Sequence, residues 1–103
     1  MVKDRMEISV FQRLIKDIYF DKDSKRGVDK TFVWFVEEVG ELASEINKQE
    51  NRERLEEEFA DVFAWLFSLA NLENIEIEEA LKKKYPGKCS KCGKIPCACS
   101  SKI

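Results

Sequence analysis

Two short acidic clusters carry the most specific chemistry in this chain. One reads Glu37-Glu38-Val39-Gly40-Glu41 and the other Glu57-Glu58-Phe59-Ala60-Asp61. In each, the last acid stands three and four residues after the first two, a spacing that sets all three on one face of a helix. Cys89, Cys92, Cys97 and Cys99 form a third cluster near the C-terminal end. Histidine is absent, which excludes imidazole acid–base catalysis, Ser-His and Cys-His nucleophile pairs, and imidazole metal sites. Chemistry in this chain rests on carboxylates, thiolates, amines or a bound metal.

The two acidic clusters meet if their helices fold as an antiparallel hairpin about the turn at Gln49-Glu50-Asn51. Glu38 then faces Asp61 and Glu41 faces Glu58, because the residue numbers in each pair add to the same value. Four converging carboxylates repel one another and call for a cation. Oxygen donors at this density suit Mg²⁺ or Mn²⁺, which keep several waters and bind phosphates. Gly40 beside Glu41 leaves room for a ligand or a neighbouring helix. Glu-rich helix faces also occur as plain solvated surface. Against that reading, Glu38 and Glu41 lie among Trp34, Phe35, Val36, Val39 and Leu42. Asp61 stands inside an apolar run, where an unpaired carboxylate is costly to bury. Glu45, Glu50, Glu53 and Glu56 read as ordinary surface. A di-iron carboxylate bundle normally uses Glu-x-x-His motifs, and the absence of histidine argues against one.

An all-α frame is expected to position these residues. The pattern predicts a first helix over Lys3 to Phe20, with Met6, Val10, Leu14, Ile15 and Ile18 as its apolar stripe. A polar loop follows from Asp21 to Asp29, with Asp29 as the N-cap of a second helix over Lys30 to Lys48. Asn51 caps a third helix over Arg52 to Leu72. A short fourth helix starts near Ile75, with Glu76, Glu78 and Glu79 at its beginning and Lys82, Lys83 and Lys84 at its end, as the helix dipole favours. The third helix is apolar almost all the way round, through Phe59, Val62, Phe63, Trp65, Leu66, Phe67, Leu69 and Leu72. Three other helices of one small chain cannot cover it, so a homodimer or homotetramer is expected.

The chain has 103 residues, enough for one domain. Residues 1–81 hold all 20 acids against 11 Lys and Arg, whereas residues 82–103 hold seven Lys and no acid. The break falls at Tyr85-Pro86-Gly87, a helix stop. The expected organisation is a body over 1–87 and a basic tail over 88–103. No apolar run approaches the roughly 20 residues of a membrane span, and no secretory signal pattern is present. A cytoplasmic location without membrane attachment is the expectation.

In such a compartment, the tail's Cys-x₂-Cys and Cys-x-Cys pairs, separated by Gly93 and Pro96, favour a structural zinc site over disulfides. A reduced disordered tail and redox-active thiols are the alternatives. A basic knuckle could approach nucleotide phosphates, but charge alone does not make it a nucleic-acid site.

The segments Thr31–Glu45, Glu56–Trp65 and Asn71–Tyr85 together resemble the MazG-type nucleotide pyrophosphohydrolases of the all-α NTP pyrophosphatase superfamily. The likeness extends over residues 8–85. It implies a four-helix bundle around a central antiparallel hairpin, and hydrolysis of a nucleoside triphosphate to the monophosphate and pyrophosphate. It also implies dependence on Mg²⁺ (or Mn²⁺) and assembly into a dimer or tetramer. By matching positions, Glu38, Glu41, Glu58 and Asp61 correspond to the metal ligands. Glu37 and Glu38 form the catalytic pair, with Glu37 binding metal, orienting a water as base, or acting from behind the ligands. Lys22, Lys25 and Arg26 before the second helix, and Lys82, Lys83 and Lys84 at the end of the fourth, could meet phosphates or be plain surface. Trp34 and Phe20 could stack on a base or serve the core or an interface. Many longer relatives carry further Lys, Arg and Asn on an extended last helix; here that helix stops at Tyr85-Pro86. The alternative is a non-catalytic nucleotide-binding or nucleic-acid-associated adaptor acting through the tail.

Overall fold

The helix predicted to end at Phe20 runs six residues further. In the computed structural model, which describes residues 6–100, α1 spans Ile8–Arg26; Lys3, the predicted start, lies outside the described residues. The polar stretch from Asp21 to Arg26 holds no helix breaker, and Asp23 and Arg26 pair across one turn at 2.8 Å. The expected loop is therefore reduced to Gly27. This residue takes φ 90° and ψ 164°, a conformation open essentially to glycine alone. Its N–H closes α1 on the Asp23 carbonyl at 2.9 Å, and its carbonyl accepts the Thr31 N–H at 3.1 Å. Gly27 is thus the C-cap of one helix and the N-cap of the next, α2, which spans Val28–Lys48. Asp29 is not the cap; it lies in the first turn of α2, where its charge suits the dipole.

Gln49 ends α2 in the left-handed conformation, its N–H donating to the Glu45 carbonyl. Asn51 accepts the Arg54 N–H at 3.1 Å and opens α3, Arg52–Leu72, at the predicted bounds. Asn74, with φ 58°, turns the chain into α4, Ile77–Lys84, two residues later than expected. The described residues contain four helices and no strand. None of these helices is long and apolar enough to cross a membrane.

The α2–α3 hairpin is the most extensive packing in the molecule; α1 lies over α3, and α4 rests on α1. The core is thin: Ile15, Leu55, Phe67 and Ala70 are its buried apolar side chains. Phe11 extends it, its ring 5.3 Å from that of Phe67. The predicted α1 stripe is corrected here. Ile15 is buried, but Met6, Val10, Leu14 and Ile18 are exposed, because α3 covers only one side of α1. The buried face carries Gln12 instead. Its amide donates to Asn71 Oδ1 and to the Ile75 carbonyl, while its oxygen accepts the Ile77 N–H. This fully bonded side chain fastens the α3–α4 turn to α1.

Apolar surface is left over. On α2, Phe32 and Val36 are about half exposed, and on α3 so are Phe59 and Phe63. Each pair is four residues apart and so forms a stripe on its helix.

Candidate active site

The hairpin brings the two acidic clusters together. Carboxylate oxygens of Glu38, Glu58 and Asp61 lie within 4.8 Å of one another. Glu38 comes from the middle of α2; Glu58 and Asp61 lie three apart on α3 and so share the face turned to α2. Glu58 is buried, Glu38 half-buried and Asp61 exposed. The apolar run around Asp61 does not enclose it: its carboxylate lies against Glu38 and Glu58 at the wall of an open cleft. Glu41 is exposed at the edge of the trio, close enough to repel both Glu38 and Glu58. Glu37 is exposed beside Glu38 and adds to the negative field on it.

The electrostatics are those of a crowded anionic site. Burial, and then the charges of Glu41, Asp61, Glu58 and Glu37, raise the Glu38 pKa above its ordinary value. Burial likewise raises that of Glu58, with Glu41 and Asp61 adding to it and Arg54 opposing. Glu58 Oε1 is buried without a hydrogen-bond partner. A carboxylate with one orphaned oxygen, grouped with two more carboxylates, is the kind of donor set a hard divalent cation takes.

Glu45 is corrected from surface to interior: it is only 6% exposed. It lies on the same face of α2 as Glu38 and Glu41, one turn further on, and its carboxylate meets Arg54 Nε at 3.4 Å and Lys48 Nζ at 3.8 Å. Glu50, Glu53 and Glu56 are exposed.

Beside the carboxylates opens a cleft of about 310 Å³, and Asp61 is part of its wall. Lys22 and Arg26 of α1 and Trp34 of α2 also line it. Arg26 is already engaged. Its Nη1 donates to Asp23 Oδ1 at 2.8 Å and to Thr31 Oγ1 at 3.2 Å. Its guanidinium carbon lies 4.6 Å from the Trp34 ring centre and 5.1 Å from that of Trp65. The two indoles meet edge to face at 5.7 Å. Lys30 Nζ also approaches Trp34, at 5.4 Å.

Lys83 and Lys84 do not line this cleft. They end α4, which is tied to the other end of α1 through the Ser9 N–H and Glu78. Phe20 is half-buried under Lys16 Nζ, away from the cleft wall. A larger cleft, about 390 Å³, lies near Gln12 and Asn71 and holds none of the clustered acids.

Sequence reasoning missed Asp23, Trp65 and Ser68 as cleft residues. An Asp-x-x-Arg spacing within a continuous helix was the signal for Asp23. Trp65, four residues after Asp61, was legible as a neighbour on the same face.

The family model for the MazG nucleotide pyrophosphohydrolase domain matches residues 26–92. The chain belongs to this family. The matched segment holds both acidic clusters, the whole α2–α3 hairpin and the first two cysteines of the MazG chain, and it begins at Arg26. Comparison with curated proteins found no match.

Proposed function

We propose that this chain is a Mg²⁺-dependent nucleoside triphosphate pyrophosphohydrolase, converting NTP and water to the monophosphate and pyrophosphate, in a housecleaning role toward the nucleotide pool. The observation that carries the reading is the grouping of the Glu38, Glu58 and Asp61 carboxylates within 4.8 Å, with Glu58 Oε1 buried and unpartnered. Glu38, Glu41, Glu58 and Asp61 would hold the cation. When bound, Mg²⁺ supplies charge neutralisation at the phosphates and acidifies water for attack. Mn²⁺ suits the same donors.

Residues of the acidic clusters and of the cleft beside them each have a part in this scheme. Glu37 and Glu38 would order the hydrolytic water, so no protein nucleophile is required. Lys22, which has no ion pair among the described residues, would meet the phosphates, since Arg26 is held by Asp23. Trp34 and Trp65 offer aromatic surface for a base, with Arg26 wedged against both. The exposed stripes of α2 and α3 are covered by a second copy of the chain, giving a dimer or tetramer.

Pyrophosphate release from a panel of standard and modified NTPs tests the proposal, with Mg²⁺ and with EDTA, beside Glu38→Gln. Release that needs Mg²⁺ and disappears in the variant is the expected result. No release from any NTP by folded, Mg²⁺-binding protein would overturn it.

A further inference from the structure

The segment after α4 has no apolar core of its own. From residue 85 to residue 100 only Cys89, Cys92 and Cys99 are less than exposed; Ile95 stands 77% exposed. What draws this stretch together is sulfur. The four Sγ atoms all lie within 4.8 Å of one another. Cys89 Sγ is 3.6 Å from Cys97 Sγ and 3.9 Å from Cys99 Sγ. These separations are far beyond a disulfide bond of about 2.05 Å, and all four cysteines are free. They match a different geometry. Four thiolates at about 2.3 Å from one zinc ion form a tetrahedron whose edges are about 3.8 Å.

The backbone is arranged to the same end. Gly93 donates its N–H to the Cys89 carbonyl at 2.9 Å and takes φ 73°, closing the Cys-x₂-Cys loop. Lys91 N–H points at Cys89 Sγ at 3.4 Å, and Cys99 N–H at Cys97 Sγ at 3.3 Å. Ala98 N–H reaches Cys92 Sγ at 3.3 Å, lacing the second pair onto the first. Amide donors directed at sulfur stabilise thiolate over thiol, which is the form a metal takes.

We propose that Cys89, Cys92, Cys97 and Cys99 hold one structural zinc ion, at a site separate from the carboxylate trio. Four soft sulfur donors leave no open position for substrate or water, so the site folds the tail and takes no part in hydrolysis. Zinc is favoured over ferrous iron by its tighter binding to such sites. Lys88, Lys91 and Lys94, with no acid among residues 82–103, offset the double negative charge of a zinc–thiolate centre. Hard and soft donors thus sort two metals on one small chain: oxygen ligands for magnesium, sulfur ligands for zinc.

The test is metal analysis of the full chain purified without chelator. One zinc per chain is expected, falling below one-tenth in Cys89→Ser and in Cys97→Ser while the far-ultraviolet helical signal is kept. Reconstitution of the unaltered chain with Co²⁺ needs no variant and should give the intense thiolate-to-cobalt charge transfer of a tetrahedral sulfur site. Four thiols that react at once with a thiol reagent in metal-free protein should be protected in the zinc form. Iron in place of zinc, two disulfides by mass, or thiols whose reactivity zinc leaves unchanged would each overturn the proposal.

Discussion

Arg26 donates to one carboxylate oxygen of Asp23 at 2.8 Å, and the other oxygen of Asp23 is buried with no partner at all. The pair is nearly enclosed, with the Asp23 side chain 3% exposed. Removing one member of such a pair strands the other as an uncompensated buried charge. Arg26→Ala should cost about 3–5 kcal/mol in urea unfolding. Arg26→Lys should fall between, since an ammonium keeps the charge but not the planar contact with Trp34 and Trp65. Tryptophan fluorescence reads both, because the guanidinium touches both indoles.

Glu58→Gln should separate stability from function. The amide removes a charge from the carboxylate trio and lets the buried position donate a hydrogen bond. Relief of an unsatisfied buried group is worth about 1–3 kcal/mol. Metal-free Glu58→Gln should therefore unfold at a higher urea concentration than the unaltered chain. Under the proposed function, Mg²⁺ should raise the melting temperature of the unaltered chain but not of this variant, and the variant should release no pyrophosphate. A variant as labile as Arg26→Ala would show that Glu58 has a packing role instead.

The pH dependence follows from the raised pKa values of Glu38 and Glu58, caused first by burial and then by neighbouring carboxylates. A carboxyl whose pKa is higher folded than unfolded binds its proton better in the folded chain. Its ionisation therefore subtracts stability as pH rises from the ordinary value of 4.5 through the raised one, and subtracts nothing below it. Mg²⁺ binds the ionised form. The Mg²⁺-induced rise in melting temperature should be small at pH 5 and larger at pH 7.5, measured by scanning calorimetry at fixed salt. Equal shifts at both pH values would refute this assignment.

Val36→Asp together with Phe63→Asp should dissociate the proposed homo-oligomer. Both side chains are about half exposed on a single chain, and a desolvated aspartate is costly at an apolar interface. Light scattering at micromolar concentration should give a multiple of 12.0 kDa for the unaltered chain and the single-chain mass for the double variant.

The meeting of the two acidic clusters was legible because two independent signals agreed, although the structure groups Glu38, Glu58 and Asp61 and leaves Glu41 at their edge. The spacing within each cluster fixed a face, and the turn at Gln49-Glu50-Asn51 fixed which faces meet. Glu45 escaped because a charge one turn beyond a cluster looks like any other surface acid until its partner, Arg54 on the next helix, is in place. The length of α1 escaped for a related reason: Asp21 to Arg26 is polar enough to read as a loop, yet only Gly27 breaks a helix. Exposure of Val10, Leu14 and Ile18 was hidden because apolar periodicity marks a face without saying which molecule covers it. The α3 bounds were right because Asn51 is a capping residue at the start of a long apolar pattern.

Gly27 sets one more constraint. A methyl group added there would meet no atom within 4 Å, so the restriction is torsional rather than steric. Position 27 is therefore silent in any inventory of contacts, yet it aims Arg26 on one side and Trp34 on the other into the same cleft. A library of variants should find this site among the least permissive in the chain, although it is among the least crowded, and its intolerance should track the alignment of α1 on α2 rather than the filling of space.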